Sequence, residues 1–339
     1  MNSGQIQRIA SKSLFPGEKT GVSLVETHIS WVILTDEFAF KIKKPVRFDF
    51  LDFSTLAQRR HFCEEELRLN RRLAPNMYLR VLPIGEQGIG DSQPPVLDYC
   101  LQMHRMDNRR EMDKMLLAGT VVPGDLEQLA NLLAPFHLQN RLPADHAYQP
   151  EKDIHDFEAL FAFEADLEAL KVPDASLLQD WAIRIPAFLK HHAPRLETRL
   201  RNGFWVEGHG DLHSRNIFLP LGQAPIVFDC LEFNPNFRRT DVLNELAFLC
   251  MDLEYHDRKD LSDAFLKAYS GHWSCFEEKE DHLLFSYFKA YRANVRLKVA
   301  LLELRQHTKE ALAQTARSYW SLLKQYMEAL NSAKDHITY

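Results

Sequence analysis

The chain reads as an α+β protein in two parts, an N-terminal five-stranded antiparallel sheet carrying one long helix and a C-terminal, mainly helical part with a single short β-hairpin set into it. Three observations predict this. Strand signals concentrate before residue 106 and helix signals after it, an order that suits an α+β chain better than an alternating one. The 339 residues, 45% of them hydrophobic, are enough for about two structural domains and an ample core. Two apolar runs, 217–219 and 226–228, flank the turn Gly222-Gln223-Ala224-Pro225 deep inside the helical half.

The elements follow in order. Residues 22–25 and 31–34 are the first two strands. Glu37-Phe38-Ala39-Phe40-Lys41-Ile42 alternates with period two, so Phe38, Phe40 and Ile42 share one face while Ala39 and Lys41 share the other. A helix follows Pro45 and the segment Asp49-Phe50-Leu51-Asp52-Phe53: Ser54 or Thr55 caps it, and the run rich in Arg, Glu and Leu stops at Leu73-Ala74-Pro75. Strands 77–83 and 96–103, joined by the turn-rich link 87–95, complete the sheet. Helices are expected near 111–119, 124–141, 151–170, 176–202, 241–256, 258–271, 276–304 and 308–331, interrupted only by the hairpin. No internal repeat or low-complexity segment is present. The division falls at Met103-His104-Arg105-Met106, giving parts 1–103 and 104–339.

Forty-one basic against forty-seven acidic side chains leave a net charge of −6, which argues against wholesale binding of nucleic acid or of an anionic membrane surface. No apolar run approaches a membrane span, and Met1-Asn2-Ser3-Gly4-Gln5 lacks the basic start of a signal peptide. Cys63, Cys100, Cys230, Cys250 and Cys275 are odd in number, scattered and without C-x-x-C, so a reducing cytoplasm is the expected compartment.

The most informative segment is His209-Gly210-Asp211-Leu212-His213-Ser214-Arg215-Asn216, followed thirteen residues after the Asn by Asp229 at the end of an apolar strand. A carboxylate at 211 can accept or orient the proton of an attacking hydroxyl. Asn216 and Asp229 supply the hard oxygen ligands that Mg²⁺ prefers, and the hairpin between them brings the two together. The same letters also spell H-x-D-x-H through His209, Asp211 and His213, an alternation that can collect zinc; the further ligands it would need, Cys230 or His256, stand in no recognisable spacing.

This segment resembles the catalytic loop of the aminoglycoside phosphotransferase family, kinases related to the protein-kinase pattern H-R-D-x-x-x-x-N plus D-F-G. The resemblance runs from Val22 to about Phe288. It implies a bilobal protein-kinase-like fold with a nucleotide-binding lobe at 1–103 and a catalytic and substrate-binding helical lobe at 104–339. It also implies ATP and Mg²⁺ as cofactors, Asp211 as the catalytic carboxylate, and His209 as a buried brace. Lys41, with the small Ala39 beside it, repeats the logic of the kinase V-A-I-K strand, whose lysine holds nucleotide phosphates and pairs with a glutamate on the next helix. Among Glu64, Glu65 and Glu66, Glu66 is chosen because Leu69 and Leu73 lie three and seven residues on; Glu65 is the fallback. Lys43 and Lys44 read as exposed edge lysines. Adenine is expected against the connecting backbone at Met103-His104-Arg105-Met106, with Met103 the residue named for it. The pattern departs at Glu26-Thr27-His28-Ile29-Ser30, which has no glycine, so backbone amides and the Thr27 and Ser30 hydroxyls are the phosphate donors that remain.

Residues 232–241 replace the long activation segment of protein kinases and no A-P-E follows, which points to the small-molecule branch. Lys41-Ile42-Lys43-Lys44-Pro45-Val46 and Phe228-Asp229-Cys230-Leu231-Glu232-Phe233 are similar to phrases in uncharacterised bacterial proteins that join such a domain to a P-loop ATPase. No G-x-x-x-x-G-K-[ST] occurs here, leaving a separate P-loop ATPase as a partner to consider. The expected acceptor is a small-molecule hydroxyl, with Glu232 the candidate for a cationic substrate and Arg238 for an anionic one. Asp241 is read as a helix cap bracing the catalytic loop, and Glu254 as a surface residue. A nucleotide-binding module without turnover and a Ser/Thr protein kinase are the alternatives. Asp211 together with both metal ligands favours the enzyme, because binding alone does not need the base.

Overall fold

A computed structural model of the protein describes residues 1–17, 19–48, 51–145, 147–306 and 309–334. Asp49 and Phe50 of the segment before the long helix, and residue 308 at the expected start of the last helix, lie outside the described residues.

The N-terminal part is built from α1 (Ser3–Ser11), β1 (Ser23–Glu26), β2 (Ser30–Leu34), β3 (Phe38–Lys43), the small pair β4 (Arg47–Phe48) and β5 (Leu51–Asp52), α2 (Leu56–Asn70), β6 (Tyr78–Gly85), β7 (Gly88–Ile89) and β8 (Asp98–His104). Its main sheet is antiparallel and runs β1-β2-β3-β8-β6-β7, six strands where five are expected. The extra strand lies in the link read as turn only. Gly88 makes it possible: its φ is +120°, and a Cβ there would stand 2.2 Å from the Leu14 carbonyl oxygen. Helix α1 is also an addition to the sequence reading. The Asn2 side chain caps it, and Ile6 and Ile9 pack on Phe40, Ile42 and Ile33. The Phe40 face of β3 is therefore closed by α1. The opposite face, with Ala39, carries a second apolar cluster.

Helix α2 starts as the sequence suggests, with Thr55 as the cap: its side chain accepts the Gln58 N–H while Gln58 reaches back, a reciprocal arrangement that contributes about 1 kcal/mol. Arg59, Cys63, Glu66, Leu69 and Asn70 form its buried stripe, which fixes the phase of the three adjacent glutamates.

Next come α3 (Met112–Leu117), α4 (Pro123–Gln139), α5 (Pro150–Glu158), α6 (Glu164–Ala169), α7 (Leu177–Arg201), β9 (Trp205–Glu207), β10 (Ile217–Phe218), β11 (Ile226–Val227), β12 (Arg239–Asp241), α8 (Val242–Tyr255), α9 (Lys259–His272), α10 (Lys279–Gln306) and α11 (Glu310–Lys334). The helix expected over 151–170 is broken by a 3-10 turn at Ala159–Phe163. β10 and β11 are the expected hairpin; the β9–β12 pair was not foreseen. Asp241 does cap α8, accepting the Leu243 N–H at 2.8 Å, but it braces α7 through the buried Arg199 guanidinium at 2.7 and 2.8 Å. Glu254 is held by Lys289 at 3.0 Å and by the Tyr326 hydroxyl, not displayed on the surface.

The chain divides into two compact units. One comprises Met1–Val121, His209–Asp211 and Arg215–Arg238; the other comprises Val122–Gly208, Leu212–Ser214 and Arg239–Tyr339. Among the described residues, no helix is long and apolar enough to cross a membrane.

Candidate active site

The first unit contains nearly all of the chemistry-bearing residues singled out in the sequence. Strand alternation on β3 sends Lys41 to the face opposite Phe40, where its Nζ lies 2.8 Å from Glu66 Oε1 and 2.6 Å from Asp229 Oδ1. Lys43, two residues further along the same face, donates to Glu66 Oε2 at 2.6 Å and to Glu232. Two ammonium groups thus meet three carboxylates. Burial alone would lower the Lys41 pKa, but Asp229 and Glu66 outweigh it and hold the ammonium well above its ordinary value. Burial likewise works against the Glu66 carboxylate, and Lys41 and Lys43 reverse it, leaving Glu66 below the usual range. For Glu232, burial wins and the nearby Glu66 charge adds to it, so its pKa is raised in spite of Lys43.

Asp229 is aimed by its backbone. Its φ of +63° lies in the left-handed region, which Asp tolerates better than most residues. Three hydrogen bonds fix the turn there. The Tyr78 hydroxyl accepts the Asp229 N–H at 3.1 Å, the Asn70 side chain accepts the Cys230 N–H at 2.9 Å, and His209 Nε2 contacts the Phe228 carbonyl oxygen at 2.8 Å. Because the Asp211 N–H points at His209 Nδ1 (3.3 Å), the proton of the imidazole belongs on Nε2, where it is donated to Phe228. His209 so ties the start of the loop 209–216 to the chain that leaves β11 just before Asp229. With the Asp229 side chain 45% exposed, its carboxylate remains accessible despite the ion pair.

In the loop itself, Asn216 Nδ2 donates to Asp211 Oδ2 at 3.0 Å and to the Asp211 carbonyl at 2.9 Å. Two oxygen acceptors require the NH₂ end of the amide, so its oxygen points away from Asp211. Gly210 opens the loop at φ +84°, and a Cβ there would press on the Phe237 carbonyl oxygen at 3.0 Å. As donors, the Asn216 amide oxygen and the Asp229 carboxylate are of the hard type suited to Mg²⁺. In the structure the Asp229 carboxylate is ion-paired with Lys41 at 2.6 Å.

Beside Lys41, Ala39, Leu101, Met103, Tyr78 and Phe218 form an apolar cluster against which Met106, Ile226 and Phe228 pack. The Phe218 and Phe228 rings stack with centroids 4.8 Å apart. A separate cavity of about 450 Å³ is lined by Arg105, Met106, Asp107, Arg110, Pro220, Leu221 and Gln223. None of the site carboxylates or lysines lines it.

The family model for the phosphotransferase enzyme family (APH) matches residues 53–278. The chain belongs to this phosphotransferase family. The matched span contains Glu66, Asp211, Asn216 and Asp229, whereas Lys41 lies before it and is ion-paired with two of them, Glu66 and Asp229. Uncharacterized proteins of Mycobacterium tuberculosis and Mycobacterium bovis are 33% identical to the chain over 303 residues, 87% of this chain and 58% of theirs. The chain therefore spans less than two thirds of the length of the curated relatives it matches. The fold is similar to that of choline kinase from Cryptosporidium parvum (TM-score 0.59, 12% identity, 99% of this chain and 97% of that one). It also resembles the GDP complex of wild-type aminoglycoside 2'-phosphotransferase-IIIa (TM-score 0.57, 13% identity, 96% and 98%).

Against this phosphotransferase framework, the positions of the expected residues divide. Lys41, Glu66 and Asp229 converge, as do Asp211 and Asn216. Glu65 turns outward to Arg68 at 2.7 Å. Several expectations need correction. Thr27 uses its hydroxyl on the tight turn between β1 and β2, contacting the Ser30 carbonyl oxygen and N–H at 3.2 and 3.0 Å, and the Ser30 side chain is buried, so the Ser30 hydroxyl does not reach the surface. Met103 lies within β8, paired with Ala39, so it offers a side chain to the apolar cluster, and the connecting backbone begins only at Arg105. Glu232 is buried against Lys43 and cannot face a cationic substrate. Arg238 is buried too, donating to the Leu231 carbonyl at 3.1 Å. Lys43, expected at an exposed edge, is 1% exposed. Among the described residues, no group of three or more His, Cys, Asp or Glu is arranged to hold a metal, which removes the H-x-D-x-H zinc site.

Tyr78, Asn70 and Lys43 are the site residues that sequence reasoning missed. For Lys43 the signal was present, since the period that places Lys41 places it on the same face. Tyr78 and Asn70 act on residues 151 and 160 positions away, beyond the reach of any local pattern.

Proposed function

We propose that the protein is an ATP- and Mg²⁺-dependent phosphotransferase that passes the γ-phosphoryl group to a hydroxyl of a small molecule. The observation that carries this reading is the ion-paired chain Glu66–Lys41–Asp229 with the Asp211–Asn216 pair in the same compact unit. Lys41 is the cation for the nucleotide phosphates, and Glu66 keeps it extended toward them. The apolar cluster of Ala39, Met103, Phe218 and Phe228 suits the flat face of a base. Asn216 and Asp229 are the residues that would hold Mg²⁺, which when bound neutralises phosphate charge. Asp211, oriented by Asn216, aims the acceptor hydroxyl and takes its proton as the phosphoryl group is transferred. The solved GDP complex of an aminoglycoside phosphotransferase of this fold supports a nucleotide site of the same kind.

The acceptor is a separate matter. With Glu232 and Arg238 both engaged inside the protein, neither a cationic nor an anionic substrate is favoured by them. The greater length of the mycobacterial relatives supports a further domain in those proteins, and a P-loop ATPase acting alongside this chain stays part of the proposal. The experiment is a thermal-shift titration with ATP and Mg²⁺, followed by phosphorylation of a metabolite library. Stabilisation by the pair together and transfer to at least one hydroxyl compound are expected; no nucleotide-dependent shift would overturn the reading.

A further inference from the structure

Strand β3 delivers two lysines to one carboxylate. Glu66 has an oxygen for each, Oε1 on Lys41 and Oε2 on Lys43, at 2.8 and 2.6 Å. The two lysines differ in what else they touch. Lys41 is 16% exposed and extends to the accessible Asp229, whereas Lys43 is 1% exposed, lies 4.7 Å over the Phe53 ring and ends on the buried Glu232, three residues past Asp229. Lys43 therefore has no path to a ligand. What it does join are two segments of the site, the buried face of α2 and the chain that follows Asp229.

A buried ion pair is a poor device for stability, because desolvation consumes most of its attraction. It is a good device for fixing position, since each partner stranded alone in the interior is costly. Lys41 cannot fill that role by itself. In the phosphotransferase reading its ammonium has to turn from Asp229 to phosphate, and its hold on Glu66 weakens as the charge is shared. We infer that Lys43 and Glu232 are positioning residues, which anchor Glu66 and the segment after Asp229 independently of Lys41, so that Lys41 can engage nucleotide without releasing α2. This rests on the function proposed above for the ligand, but the anchoring itself is a property of the protein alone.

The test compares Lys41→Met with the double variant Lys43→Met/Glu232→Gln, which removes both buried charges so that neither is stranded. Hydrogen exchange of the α2 amides and steady-state kinetics with MgATP are read for each. The double variant is expected to speed exchange in the second half of α2 and to raise KM for MgATP by about tenfold, the scale of one lost charge-assisted contact, with a smaller fall in kcat. Lys41→Met is expected to keep wild-type exchange in α2 while nucleotide affinity is lost. Wild-type exchange in the double variant, or equal loosening of α2 by Lys41→Met, overturns the inference. A fall in thermal stability with exchange and KM unchanged does so as well, since that is all a merely structural pair would produce. Glu232→Gln alone supplies a check if the double variant does not fold: it should loosen residues 230–233 and leave α2 protected, and the reverse pattern contradicts the assignment. A wild type that binds no MgATP defeats the proposed function, and the exchange comparison still decides the anchoring.

Discussion

The hydroxyl of Tyr78, at the first position of β6, accepts the backbone N–H of Asp229 at 3.1 Å and so links the sheet to the turn that aims the Asp229 carboxylate. Tyr78→Phe removes that acceptor without changing the ring. The Asp229 N–H loses a partner, which should cost about 1–2 kcal/mol in urea unfolding. Turnover should fall more than nucleotide affinity, because the left-handed turn at Asp229 is then less well held. An unchanged unfolding midpoint would mean that the hydrogen bond does not restrain the turn.

Asp229→Asn tests the metal assignment more cleanly than alanine. Asn tolerates the +63° backbone angle, so the fold is expected to persist, with Lys41 still paired to Glu66. The carboxylate is lost, and the Mg²⁺-dependent part of the thermal stabilisation by ATP should disappear. Equal shifts with and without Mg²⁺ in the wild type, or an unaltered Mg²⁺ effect in the variant, would remove Asp229 from the metal site.

Glu66 and Glu65 are neighbours with opposite surroundings. Glu66→Gln leaves the buried Lys43 ammonium and the half-buried Lys41 ammonium short of a counter-charge and should cost about 3–5 kcal/mol. Glu65→Gln breaks only an exposed contact with Arg68, for which about 0.5 kcal/mol or less is expected. Chemical unfolding of the two variants decides it, and similar losses would put the phase of α2 in error.

The same carboxylate sets a pH dependence. The folded pKa of Glu66 lies below its ordinary 4.5, so its contribution is fully present above about pH 4.5 and is lost as pH falls through the folded value. Lys41 behaves oppositely: its raised pKa keeps its contribution below about pH 10.5, and the contribution is lost as pH rises through the folded value. The stability gap between wild type and Glu66→Gln should therefore be widest between these limits and shrink in acid. A gap that is constant across acid pH would contradict the ionised pair.

Legibility of the site in the sequence followed the range of the interactions. Asp211, Asn216 and Asp229 stand in one short stretch with fixed spacing, and Lys41 and Glu66 follow from the periods of a strand and a helix. The sheet and most helices were legible for the same reason. Burial depth was not. Alternation puts Lys43 on the face of Lys41, but only the packed fold buries it against Glu232; Ser30 and Arg238 were misjudged in the same manner, as polar residues assumed to face outward. The two-residue strand β7 is too short to leave a pattern; it pairs with β6, and the close approach of the Leu14 carbonyl leaves no room for a Cβ at Gly88.

Asp211→Asn decides whether this carboxylate serves phosphoryl transfer in an enzyme. The amide keeps the size of the side chain and still offers an oxygen to Asn216 Nδ2, but it has neither the charge nor the capacity to take a proton. The measurement is MgATP turnover, with the identified acceptor or with water as the default one, alongside MgATP affinity. Affinity within about twofold of wild type is expected, with turnover lower by roughly 10²-fold or more, the range of general-base loss. Equal turnover by the wild type and Asp211→Asn, with no acceptor found in a broad screen, would contradict that role and leave a nucleotide-binding module in place of an enzyme.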